Sequence, residues 1–437
     1  MEEFFKSAER LASSLPGATP TSCNQSVRQP VHVVYGGADR FSADIATKFS
    51  EVAIGILNSV AADESEFRDI FNDGGDSSVI VPEGVFGAVK EKLEKRPIED
   101  FRIDFEDGYG FRSDDEEDAD CARVADELAS GMARGILPAT VGVRIKSFQR
   151  ETYNRATRSL ALCVGSLLEK TGGVLPPGFI VTLPKVRNAE EVRVLDQLLT
   201  TLELESGTAP NEIRIELMAE TPESVLRIDE LVNVIPERIE AVHFGAYDYT
   251  SELGVTASHQ DPFHPTSVFA KAWIQLKLAG SGIRLSDSVT KKMPVPLHRG
   301  TNLSPLELSE NRKSIQEALR AHYENVALSM MNGYFQSWDL HPGQLIARYA
   351  AVFSFFRNEM TQQGERLRSF LMKATQATLT GNLFDDAATA QGYLNFFRRA
   401  HACGALSGEE IQSVTGLEME TLLQMSFSRS SADRVAE

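Results

Sequence analysis

The feature that most constrains this chain is an alternation that persists through most of its length. Short apolar, β-branched runs are each followed by a longer stretch with helical periodicity. The runs lie at 31–35, 101–105, 140–145, 179–183, 213–218, 241–245, 282–285 and 333–338, which makes eight candidate strands. Amphipathic stretches such as 42–61, 116–133, 188–204 and 222–234 separate them, with Ser, Asn or Thr at or near their starts. Eight βα units in succession predict an α/β fold, a (β/α)8 TIM barrel over residues 31–344. An additional run at 78–81 competes for a strand place. A doubly wound open sheet is the structural alternative, but no GxGxxG turn follows the first strand. Gly36-Gly37-Ala38-Asp39 there reads as a turn in which the backbone needs space.

From about residue 345 the periodicity becomes purely helical, through 345–360, 362–374, 385–401 and 407–425, with Ser407 and Glu410 as a capping box. This predicts a helical C-terminal region over 345–437, frayed from 426, and a helical N-terminal extension over 1–30. The acidic run 114–120 reads as the solvated first turns of a helix.

The formal charge of −18, from 62 acidic against 44 basic residues, argues against nucleic acid and anionic membranes as partners. A small-molecule enzyme fits better. Cys23, Cys121, Cys163 and Cys403 are far apart and form no CxxC, so neither a structural zinc site nor a disulfide framework is expected. The N-terminus has no signal-peptide pattern and no stretch has the apolar length of a membrane span, so a soluble, cytoplasmic protein is expected.

Two of the runs end in carboxylates one helix-length segment apart: Glu220 after 213–218 and Asp248 after 241–245. Parallel strands joined by a right-handed crossover usually become neighbours, so both acids should project into one cleft. Carboxylates at strand ends also cap helices or face solvent. The pair carries more weight than either member, because two converging carboxylates repel unless a cation or a proton intervenes. Mg2+ resolves that conflict and keeps open positions for substrate oxygens, with Mn2+ as the alternative ion.

Read in order, the strand ends are Asp104-Phe105-Glu106-Asp107-Gly108, Val143-Arg144-Ile145, Leu183-Pro184-Lys185-Val186, Glu220-Thr221-Pro222, Gly245-Ala246-Tyr247-Asp248, Ser286-Asp287 and His341-Pro342-Gly343-Gln344. This succession resembles the citrate lyase β subunit, malyl-CoA lyase and related aldolases of the HpcH/HpaI family, with malate synthase a more distant relative. The resemblance covers roughly 31–350. It implies that Glu220 and Asp248 bind magnesium, that Arg144 contacts a keto-acid substrate, and that Asp104, Glu106 and Asp107 match a family "DLEDA" motif. Glu106 or Asp107 would then hold metal-bound waters or orient Arg144, and all three are candidate catalytic residues. Arg144 has a structural alternative, a salt bridge to the acidic cluster itself.

Carbon–carbon cleavage beside a carbonyl passes through an enolate, which a chelated Mg2+ and a permanent guanidinium charge would stabilise. Lys185 sits where Schiff-base aldolases place a lysine, but a cleft dense in carboxylates does not lower a lysine pKa. Pairing with an acid or binding substrate is the better reading. Asp287 matches an acid after the seventh strand, which implies either contact with substrate or support of the residues that make it. The His341–Gln344 segment reads as a turn closing the barrel, Trp338 and Asp339 as cleft-lining, and His259 and His264 as solvated loop histidines.

Two departures stand out. No arginine enters the first strand, Arg28 and Arg40 being the nearest, and Tyr35-Gly36 replaces the family's "VPG" turn, which puts coenzyme A recognition in doubt. Tyr249 and Glu252 replace a leucine and an aspartate of the metal segment without removing a proposed ligand. The expected activity is a magnesium-dependent carbon–carbon lyase on a small keto-acid adduct, with a CoA thioester as one form of the substrate. The rivals are a CoA-independent class II aldolase and a non-catalytic metal-binding barrel. Relatives of this kind form trimers or hexamers and borrow a carboxylate from a neighbouring subunit, so a homo-oligomer is expected, with the general base unidentified in the C-terminal region.

Overall fold

The computed structural model describes residues 29–72, 79–372, 378–380, 383–385 and 387–425. Eight strands close into one parallel barrel in chain order. They are β1 (His32–Gly37), β2 (Asp100–Asp104), β3 (Thr140–Arg144), β4 (Ile180–Leu183), β5 (Arg214–Ala219), β6 (Ile239–Phe244), β7 (Arg284–Val289) and β8 (Gln336–Asp339). Closure is made by β1, which pairs with β2 on one side and β8 on the other. All eight expected strands are present, and the open-sheet alternative is excluded. Residues 79–81 form no strand.

The helices that matter for the site are α1 (Ile45–Val60), α2 (Val85–Lys95), α3 (Asp114–Arg134), α4 (Ala189–Ser206), α5 (Ala246–Glu252), α6 (Pro265–Lys277), α7 (Pro305–Met331) and α8 (Gln344–Met372). Capping boxes start α3 at Ser113 and α7 at Ser304, and Asn188 caps α4, so short polar residues set where each crossover turns down. The acidic run 114–120 is the start of α3, with Glu117 buried in it. Beyond the barrel, α9 (Ala387–Cys403) and α10 (Gly408–Thr415) pack on α8, through Phe356 against Phe396 at 5.1 Å and Arg357 against Glu410 at 3.1 Å. Ser407 and Glu410 form the expected capping box. Of the expected N-terminal extension only residues 29 and 30 are described, neither of them helical, and 426–437 lie outside the described residues. No single described helix is long and apolar enough to cross a membrane.

The period-2 alternation of the strands divides the molecule into two interiors. Outward-facing Val34, Ile103, Val143, Val181, Leu217 and Val242 form an apolar layer under the helices. Facing inward, Tyr35, Arg102, Thr182, Glu216 and His243 meet one another across the barrel, and all five are buried. Tyr35 of β1 and Glu216 of β5 are hydrogen-bonded at 3.0 Å although their strands are not neighbours, which only a closed barrel permits.

A second buried polar cluster ties β8 to the helices. Asp339 takes His32 Nδ1 at 2.9 Å and Arg348 Nη2 at 2.7 Å. His322 Nε2 also lies 2.8 Å from it, out of line for a hydrogen bond. Burial raises the Asp339 pKa, but the Arg348 charge and the His32 hydrogen bond outweigh it and hold the carboxyl well below its usual range. Asp339 therefore binds β8 to α7 and α8 rather than lining the cleft. The next residues form a rigid turn: Gln344 Oε1 accepts the Leu340 and His341 N–H groups at 2.7 and 3.2 Å, and its Nε2 donates to the Thr290 carbonyl at 2.9 Å. Asp339→Ala leaves Arg348 buried without its counter-ion. It is expected to cost roughly 3–5 kcal/mol in urea unfolding, whereas Glu91→Ala, on the exposed pair with Lys95, leaves the urea midpoint essentially unchanged.

Candidate active site

The site is built at the C-terminal ends of β2 to β6, the face on which TIM-barrel loops converge. Register places Asp104 beside Arg144. Asp104 Oδ1 accepts from Arg144 Nε at 2.7 Å and Oδ2 from Nη2, a two-pronged pair inside the barrel. The same carboxylate accepts the backbone N–H groups of Glu106 at 2.9 Å and Gly108 at 2.7 Å, which curls the chain after β2 back over the strand end. Gly37 abuts this curl: a Cβ there would come within 2.6 Å of the Gly108 carbonyl, the physical reason for a glycine turn after β1.

Arg144 is buried and lies over the Tyr35 and Trp338 rings, 4.8 and 5.4 Å from their centroids. Burial pulls its pKa down, but the Asp104 charge and hydrogen bonds outweigh that, so the guanidinium is permanently charged. Its remaining edge, Nη1, lies 3.4 Å from Glu106 Oε2. The structural pairing and the site position thus coexist in one residue.

Glu106 and Asp107 both reach the Lys185 ammonium, Asp107 at 2.9 Å. Burial lowers the Lys185 pKa, and the charges of Glu106 and Glu220 raise it further than burial lowers it, leaving a firmly protonated amine. A Schiff-base lysine needs the opposite shift. Lys185 is also one of two non-glycine residues with positive φ among the described residues, at 51°. That conformation turns its backbone N–H onto Glu220 Oε1 at 2.7 Å.

Glu220 directly follows β5 and Asp248 lies in the first turn of α5, after β6. The two are close enough that burial, followed by the Asp248 charge, pushes the Glu220 carboxyl up to about 8. A Cβ on Gly245 would lie 2.6 Å from Glu220 Oε2, so glycine leaves room for this carboxylate at the neck of α5. Two carboxylates in mutual conflict are what a hard divalent cation would relieve, and they fit that group. Among the described residues no set of three His, Cys, Asp or Glu side chains converges as a ligand set, so an ion held by this pair would take water or substrate oxygens as its other ligands.

Arg144, Glu106, Asp107, Lys185, Glu220 and Asp248 are therefore brought together. Asp287 is not. It lies within β7 rather than after it, next to a register shift, and its carboxylate points away from the cleft to Lys271 of α6 at 2.7 Å and Ser329 of α7 at 2.5 Å. Outward charge pairing replaces the expected substrate contact. His264 caps α6 by accepting the Thr266 N–H at 3.3 Å, and His259 bonds Thr256 at 3.0 Å. Tyr35, Glu216 and His243, which support Arg144 from below, were not singled out in sequence as site residues. Their signal was the polar residue at an inward position of an otherwise apolar run. At the rim, Arg187 bridges Glu223 at 2.9 Å and Glu252, so Glu252 is an outer ion-pair partner.

A family model described as a domain of unknown function, DUF6986, matches residues 6–430. The chain belongs to the DUF6986 family. Among curated proteins, the glyoxysomal malate synthase of Zea mays is 24% identical over 187 residues, 40% of this DUF6986 chain and 31% of that protein. The chain thus spans about a third of the length of that relative. Among solved structures, a citrate lyase of Burkholderia xenovorans LB400 matches at TM-score 0.58 and 19% identity, covering 88% of this chain and 96% of the other. The protein CitE of Mycobacterium tuberculosis, solved with magnesium, acetoacetate and coenzyme A, matches at TM-score 0.49 and 14% identity over 86% of this chain and 99% of its own. The citrate lyase match bears on the fold. It agrees with the TIM barrel that the eight successive βα units predict.

His243, under the site, has its pKa lowered to about 4 by burial and by Arg144 and Arg102, against the opposing charges of Glu216 and Asp287. Tyr35 is its uncharged neighbour at 3.4 Å. The folded state thus holds the imidazole neutral, while the unfolded chain takes up a proton below its ordinary value near 6.5. Stability contributed by the neutral ring is fully present above that value and falls as pH drops towards 4, by roughly 2–3 kcal/mol between pH 7 and 4.5. Urea midpoints across that range should show the loss, and His243→Asn should shrink it.

Proposed function

We propose that this chain is a divalent-cation-dependent carbon–carbon lyase that cleaves or forms a small keto-acid adduct. The observation that carries the reading is the Glu220–Asp248 pair: two carboxylates from adjacent strand ends, one driven up to about 8 by burial and then by the other's charge, beside a permanently charged buried guanidinium. A bound Mg2+ or Mn2+ would supply Lewis-acid stabilisation to the enolate charge that such cleavage develops.

The chain's own residues provide the rest. Glu220 and Asp248 would hold the ion. The Lys185 backbone N–H, fixed on Glu220 Oε1, sets the orientation of that carboxylate. Arg144 is clamped by Asp104 on Nε and Nη2 and so cannot swing, and its Nη1 edge, which rests on Met218 Sδ at 3.7 Å, faces Glu106 at 3.4 Å. Glu106 bridges Arg144 and Lys185, and burial raises its pKa first, with Arg144 and Lys185 opposing. It is therefore the carboxyl best placed to exchange a proton near the reacting centre, with Asp107 paired outside it.

Whether the adduct is a CoA thioester or a free acid is tested directly by offering both. The panel is malyl, citramalyl and citryl thioesters and their free acids, with Mg2+ and with EDTA, read as released pyruvate, glyoxylate, oxaloacetate or acetyl-CoA. Metal-dependent release is the expected result, and cleavage of the free acids alone would assign the CoA-independent form. Metal-independent release would remove Glu220 and Asp248 from the chemistry. Asp248→Ala is expected to abolish calorimetric Mg2+ binding and to lower turnover by on the order of 10²–10⁴ with the melting temperature retained. Assembly into a homo-oligomer and a cytoplasmic location belong to the same proposal, checked by light scattering and by fractionation.

A further inference from the structure

The connection between β7 and α7 runs from residue 290 to 304 without regular structure, at the same barrel end as Glu220 and Asp248. Loops this long in a compact barrel are usually functional. This one carries Lys291, Lys292, His298 and Arg299, and no acid occurs from Ser288 to Leu306 in a chain of net charge −18. Its start is fixed: Thr290 is held by His322 at 2.8 Å, Asn325 at 3.0 Å and, through its carbonyl, Gln344 at 2.9 Å. Tyr247 donates to the Val289 carbonyl at 2.9 Å, and Ala246 N–H donates to Ser288 at 3.1 Å, so the end of β7 is stitched to the start of α5.

Lys291 follows directly. Its ammonium sits over the Tyr247 ring, 3.5 Å from the centroid, beside Asp248 in sequence and within reach of the Asp248 and Asp261 charges. The other cations around the strand ends are engaged: Arg144 by Asp104, Lys185 by Glu106 and Asp107, Arg187 by Glu223 and Glu252. Lys292 pairs with Glu317 at 3.2 Å and His298 with Glu310 at 2.6 Å. Among the described residues Lys291 has no carboxylate within salt-bridge distance, and an aromatic face orients it without consuming its charge.

We propose that Lys291 is a substrate-binding residue that takes an anionic group on the part of the ligand projecting away from the Glu220–Asp248 centre. This rests on the reading of that pair as a metal and keto-acid site. An ammonium with an open hydrogen-bonding side, at the edge of an otherwise acidic cleft, favours ligands with a second negative charge over those with one.

The test is equilibrium binding by calorimetry with Mg2+ present, using two probes that share one oxalyl group: oxamate, with a single carboxylate, and N-oxalylglycine, with a second. The wild-type chain is expected to bind N-oxalylglycine roughly tenfold more tightly than oxamate. Lys291→Ala should abolish that preference without changing oxamate affinity, and Lys291→Arg should restore it. Lys291 is exposed, so these variants leave the fold intact. Equal binding of both probes to wild type, or a preference that survives Lys291→Ala, overturns the proposal while leaving the metal site standing. No Mg2+-dependent binding of either probe overturns both readings together.

Discussion

The arrangement of this site depends on one ion pair, Arg144 with Asp104. Each residue lies on a neighbouring strand in matched register, so the pair belongs to the barrel itself rather than to a loop. Asp104 spends its other lone pairs on the Glu106 and Gly108 N–H groups and so determines where the acidic loop after β2 lies. That loop positions Glu106 and Asp107, which position the Lys185 side chain, while the Lys185 backbone positions Glu220. Removing one partner of a buried pair leaves an uncompensated charge, so the chain of contacts fails from its root and not from its exposed end.

Much of this was legible in the sequence, for a physical reason. A strand buried against helices must show apolar residues at its outward positions, and the eight runs show them whatever the barrel holds inside. Arg144, Lys185, Glu220 and Asp248 stood at or just after the ends of such runs, where parallel topology gathers side chains at one face. Asp287 shows where that reasoning stops. The seventh run, 282–285, ends before the observed strand does, and β7 continues through a register shift to Val289. Because alternation has period two, a shift of one residue exchanges the cleft for the helix layer. Nothing in a Ser-Asp-Ser segment, polar on both faces, indicates which way Asp287 turns until Lys271 and Ser329 are seen beside it. Similarly, Asp339 next to Trp338 suggested a cleft pair, although adjacent strand residues necessarily face opposite sides.

The barrel interior is itself unusual in chemistry. TIM barrels commonly fill this space with layers of branched apolar side chains. Here Arg102, Glu216, Tyr35, Thr182 and His243 occupy it, with Asp100 against Arg102 at its base. Burial raises the Asp100 pKa and lowers that of His243, while Arg102 draws Glu216 down. Stiffness under the site therefore comes from directional bonds. Such a floor holds Arg144 in one orientation more strictly than dispersion contacts would, at the cost of sensitivity to any change in a single partner.

Lys185 combines two demands in one residue. Its ammonium reaches Glu106 while its amide reaches Glu220, and a left-handed backbone presents both just past the end of β4. That conformation costs an ordinary L-residue on the order of 1 kcal/mol, and glycine or asparagine would adopt it more readily. A search for sequences that merely fold well would therefore discard the lysine. The position is one where thermostabilisation and the working geometry pull in opposite directions, and a redesign of this barrel for heat resistance should leave it untouched.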